Sequence, residues 1–192
     1  TGTVPSKTFR EAVLYLTGYG QRSIYGASYT LKEKVTIHDL LFRCQHVIKR
    51  EVDVIRDQMR RNGIQLFSGA ARFLDPYRLE ISGAEGIVEV KTDRVVIAVG
   101  TTPTAPRDVP ADGETVLTSD MILDLKELPG TMTVVGAGVI GLEYASMFAA
   151  LGVEITLIDK RPTLLDFVDA EIVESLSYQM RNMNVTFRLG ED

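Results

Sequence analysis

Three glycines and one aspartate form the clearest chemical pattern in the sequence. Gly136, Gly138 and Gly141 make a G-x-G-x-x-G that directly follows an apolar run, and Asp159 comes about 20 residues later. The first glycine would permit a tight strand-to-helix turn, the second a close approach of the backbone to a pyrophosphate, and the third close packing of helix on sheet. This spacing predicts dinucleotide binding. The alternative is a glycine turn with a purely structural role.

Residues next to these glycines complete the predicted nucleotide site. Unpaired backbone N–H groups at the start of the helix, including those of Val139 and Ile140, would hold the phosphates. Asp159 would accept hydrogen bonds from an adenosine ribose, which favours NAD. Lys160 and Arg161 follow directly, and a guanidinium can bind the 2′-phosphate of NADP in a bidentate way. The combination predicts tolerance of both NAD and NADP, unless these two are simply exposed basic residues at a strand end.

A strand–helix–strand–helix–strand order is expected to position the glycine turn. This order is typical of half of a doubly wound parallel sheet. Pro129 and Gly130 precede it and mark a candidate domain boundary. The elements predicted after that boundary are a strand at 132–135, a helix at 139–151, a strand at 154–158, a helix at 170–183 and a strand at 185–189.

The residues before Pro129 predict two helices and several short strands. One helix begins after Pro5-Ser6 and places Phe9, Ala12, Val13 and Leu16 on one face. A second begins at a variant capping box, Thr36 with Asp39, and ends at Gly63. Residues 64–67 and 71–73 are predicted strands. Residues 78–82 and 87–91 predict an antiparallel hairpin with a loop longer than two residues, and the apolar run 95–99 predicts a strand buried on both faces.

Composition excludes several classes of protein. The 192 residues are 45% hydrophobic and 24% charged, with a net charge of −5, so neither disorder nor non-specific binding of nucleic acid or anionic membrane is expected. The longest apolar stretch, 132–142, is interrupted by glycines and is too short for a membrane span. The single cysteine, Cys44, excludes an internal disulfide and a multi-cysteine metal site. We predict no metal and a cytoplasmic location.

Four segments together resemble one known family. GTVPSK at 2–7, GAARF at 69–73, VVIAVGTTP at 95–103 and GAGVIGLEYAS at 136–146 are similar, in order and spacing, to motifs of the FAD-dependent pyridine nucleotide–disulfide reductases. The resemblance implies an α/β, three-layer FAD/NAD(P)-binding Rossmann-like fold with a small antiparallel β insertion, truncated at both ends. It implies the later portion of a FAD-binding domain at 1–128 and the first half of a NAD(P)-binding domain at 129–192. We therefore expect a central portion of a longer protein that is a homodimer or a higher oligomer through a C-terminal domain.

The resemblance also assigns a pair of residues to catalysis. Lys7 matches a lysine that lies beside the flavin, and Glu143 matches the glutamate with which that lysine pairs. An ion pair beside a flavin ring can orient the ring and tune its electronics. For Glu143 alone, the alternative is a solvent-facing helix residue.

Four further residues are assigned to FAD binding by the resemblance. Ala71 matches a position whose backbone meets the flavin's adenine, and Val99, Gly100 and Thr101 match a turn that returns to the flavin. Val99 replaces a threonine that is usual in the family, so any role of a side-chain hydroxyl is lost at that position.

The main departure from the family lies at Thr3. Disulfide reductases of this family carry a C-x-x-x-x-C pair whose second cysteine falls there, and a hydroxyl cannot form a disulfide. One branch shares this departure and passes hydride between NADPH and NAD through FAD without a thiol relay. The expected function is therefore flavin-dependent hydride transfer between these small-molecule nucleotides. The alternatives are a disulfide oxidoreductase resembling dihydrolipoamide dehydrogenase and a non-catalytic nucleotide-binding fragment.

Overall fold

The computed structural model describes residues 3–26, 28–104 and 109–191, without the side chain of Thr3. Two compact units account for its contacts. The first combines Thr1–Ile48 with Pro103–Asp192, and the second is Lys49–Thr102. These units reflect packing within this chain and do not test the boundary predicted at 129, which stays a prediction.

A three-stranded parallel sheet organises the first unit. Its strands are β4 (Thr131–Val135), β5 (Glu154–Asp159) and β6 (Val185–Leu189), in the order β4-β5-β6. The connections contain the helices α4 (Val139–Ala150) and α5 (Ala170–Asn182). The predicted strand–helix alternation and the parallel sheet are confirmed, with element bounds that differ by one residue at most.

An amphipathic helix, α1 (Thr3–Leu16), packs against α4 in the same unit. Phe9 is fully buried, and its ring centroid lies 6.4 Å from that of Tyr144 and 5.8 Å from that of Phe148. Ala12 and Val13 are buried with it, as their spacing predicts. Helix α4, which begins at the glycine turn, therefore packs on an aromatic core.

Helix α3 (Ile37–Arg61) follows the short helix α2 (Arg22–Tyr25) and begins at the predicted capping box. The backbone N–H of Thr36 donates to Asp39 Oδ2 at 2.8 Å, and the N–H of Asp39 donates to Thr36 Oγ1 at 3.3 Å. Two backbone donors that have no partner within the helix are satisfied reciprocally in this way. Leu40 and Cys44 are buried, whereas the apolar side chains of α3 become more exposed along its later turns.

The second unit contains an antiparallel sheet of β1 (Ala70–Asp75), β2 (Arg78–Gly83) and β3 (Gly86–Lys91), in that order. The predicted hairpin is confirmed, but its loop is shorter than predicted. Gly83 pairs with Gly86, so only two residues connect the strands. The positive φ of Gly86, 119°, accommodates this tight connection because glycine has no Cβ to clash.

Two predicted strands are wrong. Residues 64–67 and 95–99 form no strand, and the side chains of 95–99 are exposed rather than buried. Val96 and Val99 are each 89% exposed. The apolar run satisfies the composition of a buried strand, but a strand also needs a hydrogen-bonded neighbour, and no described segment pairs with it.

Three further features of the fold concern the segment ahead of the parallel sheet, membrane spans and metal sites. Ser119–Asp124, ahead of β4, forms a 3₁₀ helix. In the part of the chain that the structure describes, no helix is long and apolar enough to cross a bilayer. The same residues contain no cluster of three histidine, cysteine or acidic side chains that could hold a metal ion.

Candidate functional site

The glycine turn joins β4 to α4 at the end of the parallel sheet. The N–H of Gly136 donates to the carbonyl oxygen of Ile158 at 2.8 Å, which continues the pairing of β4 with β5 past the last strand residue. The φ of Gly136 is +102°, a region that favours glycine. A Cβ added to Gly141 would overlap the carbonyl oxygen of Gly136. Both glycines are therefore required by the turn itself.

Gly138 differs from its two neighbours because nothing in the protein crowds it. Its φ is −75°, which any residue can adopt, and an added Cβ would meet no atom within 4 Å. The space beside it opens onto the first turn of α4, where no side chain caps the helix. Val139 and Ile140 present backbone N–H groups there that have no carbonyl partner within the helix. This open cradle allows the phosphates of a ligand to come close to the protein backbone.

The carboxylate of Asp159, at the end of β5, is buried at the base of this turn and is only 7% exposed. Its Oδ2 accepts a hydrogen bond from the N–H of Ala137 at 2.6 Å, so the carboxylate holds the turn between Gly136 and Gly138. The same oxygen accepts from Arg161 Nη2 at 2.7 Å. Its Oδ1 accepts from Arg161 Nε at 3.0 Å and from the Arg161 backbone N–H at 2.8 Å.

These contacts hold the pKa of Asp159 well below its usual range. The main cause is the side-chain hydrogen bonding of Arg161, and the backbone N–H groups of Arg161 and Ala137 add to it. The carboxylate therefore stays ionised and carries a fixed negative charge beside the glycine turn. Lys160 is exposed and forms no ion pair with another described residue.

The predicted pair of Lys7 and Glu143 lies on two packed helices. Lys7 is on α1, Glu143 is on α4, and these helices meet through Phe9 and Tyr144. Lys7 is exposed and Glu143 is half-buried. No ion pair joins them among the described side chains, and their roles stay predictions. Burial, with the charge of Glu143 as a smaller cause, raises the pKa of Tyr144 to about 12, so this phenol remains neutral at physiological pH.

The residues predicted to meet the flavin elsewhere all belong to the second unit. Ala71 lies on β1 opposite Ile81 and is exposed. Val99 and Thr101 are exposed on either side of Gly100, whose φ of +73° permits a turn that other residues disfavour. The roles of these four residues stay predictions. The side chain of Thr3 lies outside the described residues.

Sequence reasoning found the position of Asp159 but missed its partner. It treated Arg161 as a free ligand for phosphate, whereas the side chain folds back onto the carboxylate two residues earlier. The signal for this ion pair was present in the sequence: Asp159 and Arg161 carry opposite charges, are two residues apart, and lie at a strand end where the backbone can turn. The hydrogen bond to Ala137 had no signal in residue type because it uses a backbone N–H.

Comparisons with known proteins place these features in a family. A family model described as pyridine nucleotide-disulphide oxidoreductase matches residues 3–192. A curated protein of Mycobacterium bovis named soluble pyridine nucleotide transhydrogenase is 55% identical over the whole chain, and one of the same name from Colwellia psychrerythraea is 38% identical. The chain spans 42% and 41% of the lengths of these relatives.

Solved structures have the same fold. The crystal structure of LpdA from Mycobacterium tuberculosis matches with a TM-score of 0.87 at 26% identity, covering 98% of this chain and 42% of that one. The flavoprotein disulfide reductase RclA from Escherichia coli matches with a TM-score of 0.75 at 24% identity, covering all of this chain and 40% of that one. At this identity the second likeness concerns the fold alone.

Proposed function

Because the chain belongs to the pyridine nucleotide-disulphide oxidoreductase family, we propose that this protein transfers hydride between NADPH and NAD through FAD. Relatives named soluble pyridine nucleotide transhydrogenase, up to 55% identical, support this reaction. The observation that carries the proposal is the glycine turn with Asp159 and Arg161 at its base, since it combines a phosphate cradle with groups suited to both nucleotides.

The glycine turn fits the phosphates of a dinucleotide. Gly138 leaves open space where a side chain would otherwise stand, and the adjacent N–H groups of Val139 and Ile140 lack carbonyl partners within the helix. The partial positive charge at the start of α4 adds to the attraction for an anion. Lys160, which forms no ion pair with another described residue, adds a positive charge directly after β5, whereas the charge of Arg161 is paired with Asp159.

The FAD side of the proposal depends on Lys7, Glu143, Ala71 and residues 99–101. When bound, FAD supplies a ring that takes up and returns a hydride. Lys7 and Glu143 would orient the ring and tune its electronics from the two packed helices. The turn at Gly100, where an added Cβ would meet no atom within 4 Å, leaves room for a cofactor at the backbone.

The absence of a thiol at position 3 favours this reaction over a disulfide reductase. A reductase that acts on disulfides needs a pair of cysteines, and threonine occupies the position of one of them. The only cysteine, Cys44, is buried on α3, and burial raises its pKa, so it remains a protonated, unreactive thiol.

The family resemblance further supports a homodimer or a higher oligomer. The word soluble in the relatives' names and the single cysteine of this chain support a cytoplasmic setting. The oligomeric state has a direct test in the molar mass of the full-length gene product in solution.

Steady-state kinetics of the full-length gene product, purified with its flavin, test the proposed reaction. One nucleotide must leave before the other enters the same site, so double-reciprocal plots should give parallel lines. Intersecting lines would show that both nucleotides bind at once and would contradict a shared site. Absence of NADPH-to-NAD transfer in a flavin-loaded protein would refute the function itself.

A substitution of Glu143 tests its proposed role. Glu143→Gln should slow flavin reduction by NADPH about tenfold or more, which is about 1.4 kcal/mol of transition-state stabilisation, while the Kd for NADPH stays within about twofold. Rapid-mixing absorbance measures both quantities. The matched control is Glu154→Gln, which removes an exposed charge on β5 and should leave the rate unchanged. Equal rates for wild type and Glu143→Gln would remove Glu143 from the mechanism.

A further inference from the structure

The carboxylate of Asp159 has no acceptor capacity left in this structure. A carboxylate offers about four lone-pair sites. The two oxygens of Asp159 accept four hydrogen bonds, one from the Ala137 N–H and three from the backbone and side chain of Arg161, at 2.6 to 3.0 Å. A ribose hydroxyl that approaches this carboxylate would find its acceptor sites occupied.

The three bonds from Arg161 differ in how readily they can be released. The backbone bond from Arg161 and the bond from Ala137 are fixed by the strand end and by the glycine turn. The two side-chain bonds depend on a long side chain whose surface is 42% exposed. A rotation of this side chain frees one position on each oxygen while the fixed bonds stay in place.

The folded-back guanidinium still has donors to offer. A guanidinium carries five N–H donors, and Asp159 engages Nε and Nη2 only. The Nη1 group makes no hydrogen bond to another described residue, and the exposed side chain leaves it accessible. A phosphate can therefore bind Arg161 without displacing it from Asp159, and the paired carboxylate repels that phosphate less than a free one would.

A second carboxylate, that of Asp166, also influences Arg161 electrostatically. Asp166 lies in the loop after β5 and is exposed. Exchange between the carboxylates of Asp159 and Asp166 would keep the guanidinium compensated in both positions. Lys160, the other basic residue here, contacts neither oxygen of Asp159 and cannot perform this exchange.

From this geometry we propose that the side chain of Arg161 is a two-position gate that lets one site accept two nucleotides. Folded onto Asp159, it presents Nη1 to the 2′-phosphate of NADP. Rotated away, it exposes Asp159 to the ribose hydroxyls of NAD. The inference rests on the proposed use of both nucleotides and adds a specific consequence: Arg161 hinders NAD binding as well as helping NADP binding.

Removal of the gate should change the two affinities in opposite directions. In Arg161→Ala, the Kd for NADPH should rise about tenfold or more because a charge-assisted contact to phosphate is lost. The Kd for NADH should fall severalfold because no fraction of the protein remains closed to it. An arginine that only binds phosphate would leave the Kd for NADH unchanged.

Fluorescence titration of NADH and NADPH into the full-length gene product, with its flavin reduced beforehand, measures both constants, because a reduced flavin accepts no further hydride. Arg161→Lys keeps the charge but cannot hold both carboxylate oxygens, so it should tighten NADH and retain much of the NADPH affinity. Arg60→Ala is the matched control, since it removes an arginine on α3 whose side chain is 80% exposed and pairs with Asp57. Both of its constants should equal those of the wild type.

The outcomes separate this inference from the proposed function. If the wild type transfers hydride but NADH binds Arg161→Ala and Arg161→Lys no more tightly, the gate is refuted and the function stands. If Arg161→Ala does not fold because Asp159 is left uncompensated, Arg161→Lys alone decides. If the wild type binds only one of the two nucleotides, the proposed function fails, and the gate with it.

Discussion

Two glycine-to-alanine substitutions three residues apart should have opposite effects on stability and binding. An added Cβ at Gly141 would overlap the carbonyl oxygen of Gly136, a backbone atom that cannot move without distorting the turn. An added Cβ at Gly138 would meet no protein atom within 4 Å and needs no change in φ. Alanine at 141 should therefore destabilise the fold, whereas alanine at 138 should leave it intact and obstruct the dinucleotide.

The magnitudes follow from these contacts. Overpacking against a rigid neighbour costs about 1–3 kcal/mol, and the better helix propensity of alanine at 141 offsets up to about 1 kcal/mol. The overpacking cost lies at the upper end of its range because the overlapped atom belongs to the backbone. A net destabilisation of about 2 kcal/mol remains, which lowers Tm by about 2–4 °C per kcal/mol in a chain of this size. At position 138, alanine is a poorer N-cap than glycine, but it also lowers the conformational entropy of the unfolded chain. These two effects on stability offset each other, so Tm should change by about 1 °C at most.

Thermal unfolding by circular dichroism, and fluorescence titration with NADH of the full-length gene product with its flavin reduced beforehand, form the assay. Gly138→Ala should unfold like the wild type and bind NADH at least about tenfold more weakly, because a methyl group occupies the approach of the pyrophosphate. Gly141→Ala should show the lower Tm. If Gly141→Ala unfolds like the wild type, or if Gly138→Ala binds NADH normally, the division of roles among these glycines is wrong.

Two further predictions concern the core and the carboxylate beneath the turn. Phe9→Ala should lower the free energy of unfolding by about 3–5 kcal/mol, because loss of the buried ring leaves a cavity beside Tyr144. The control, Tyr15→Ala at a 59% exposed site on the same helix, should change the free energy of unfolding by about 0.5 kcal/mol at most. Denaturant titration measures both values. The lowered pKa of Asp159 means that its charge stabilises the fold above pH 4, roughly its unfolded pKa, and that this contribution is lost as the pH falls further. Asp159→Asn should thus be less stable than the wild type at pH 7, with a difference that shrinks on acidification below about pH 4, and a difference independent of pH would contradict the role of the ionised form.

The parallel half of the fold is predictable because several local signals agree there. The apolar run of β4, the glycines after it and the short polar connections each fix an element boundary independently. Residues 95–99 show the limit of such signals. Their composition matches a buried strand, yet strand formation depends on a neighbour, which no pattern within five residues can report.

The candidate site also has features that the sequence predicts and features that it does not. Glycine positions and the acidic residue at the end of β5 follow from residue type and spacing, because the turn demands glycine and the ribose demands an acceptor. The state of that acceptor does not follow, since it depends on the side-chain position of Arg161 and on a backbone N–H of Ala137. Residue type and spacing alone do not bring together the helices that carry Lys7 and Glu143. The family resemblance predicts that they are neighbours, and the packing of Phe9 shows that the two helices are in contact.

The exposed run at 95–99 has a consequence for how this 192-residue chain behaves by itself at high concentration. It is uncharged and mostly β-branched, and its backbone is paired with no described strand. Such a segment is a template for strand addition by another molecule, which leads to irregular aggregates. The net charge of −5 opposes close approach of two copies, so added salt, which screens that repulsion, should lower the concentration at which light scattering appears.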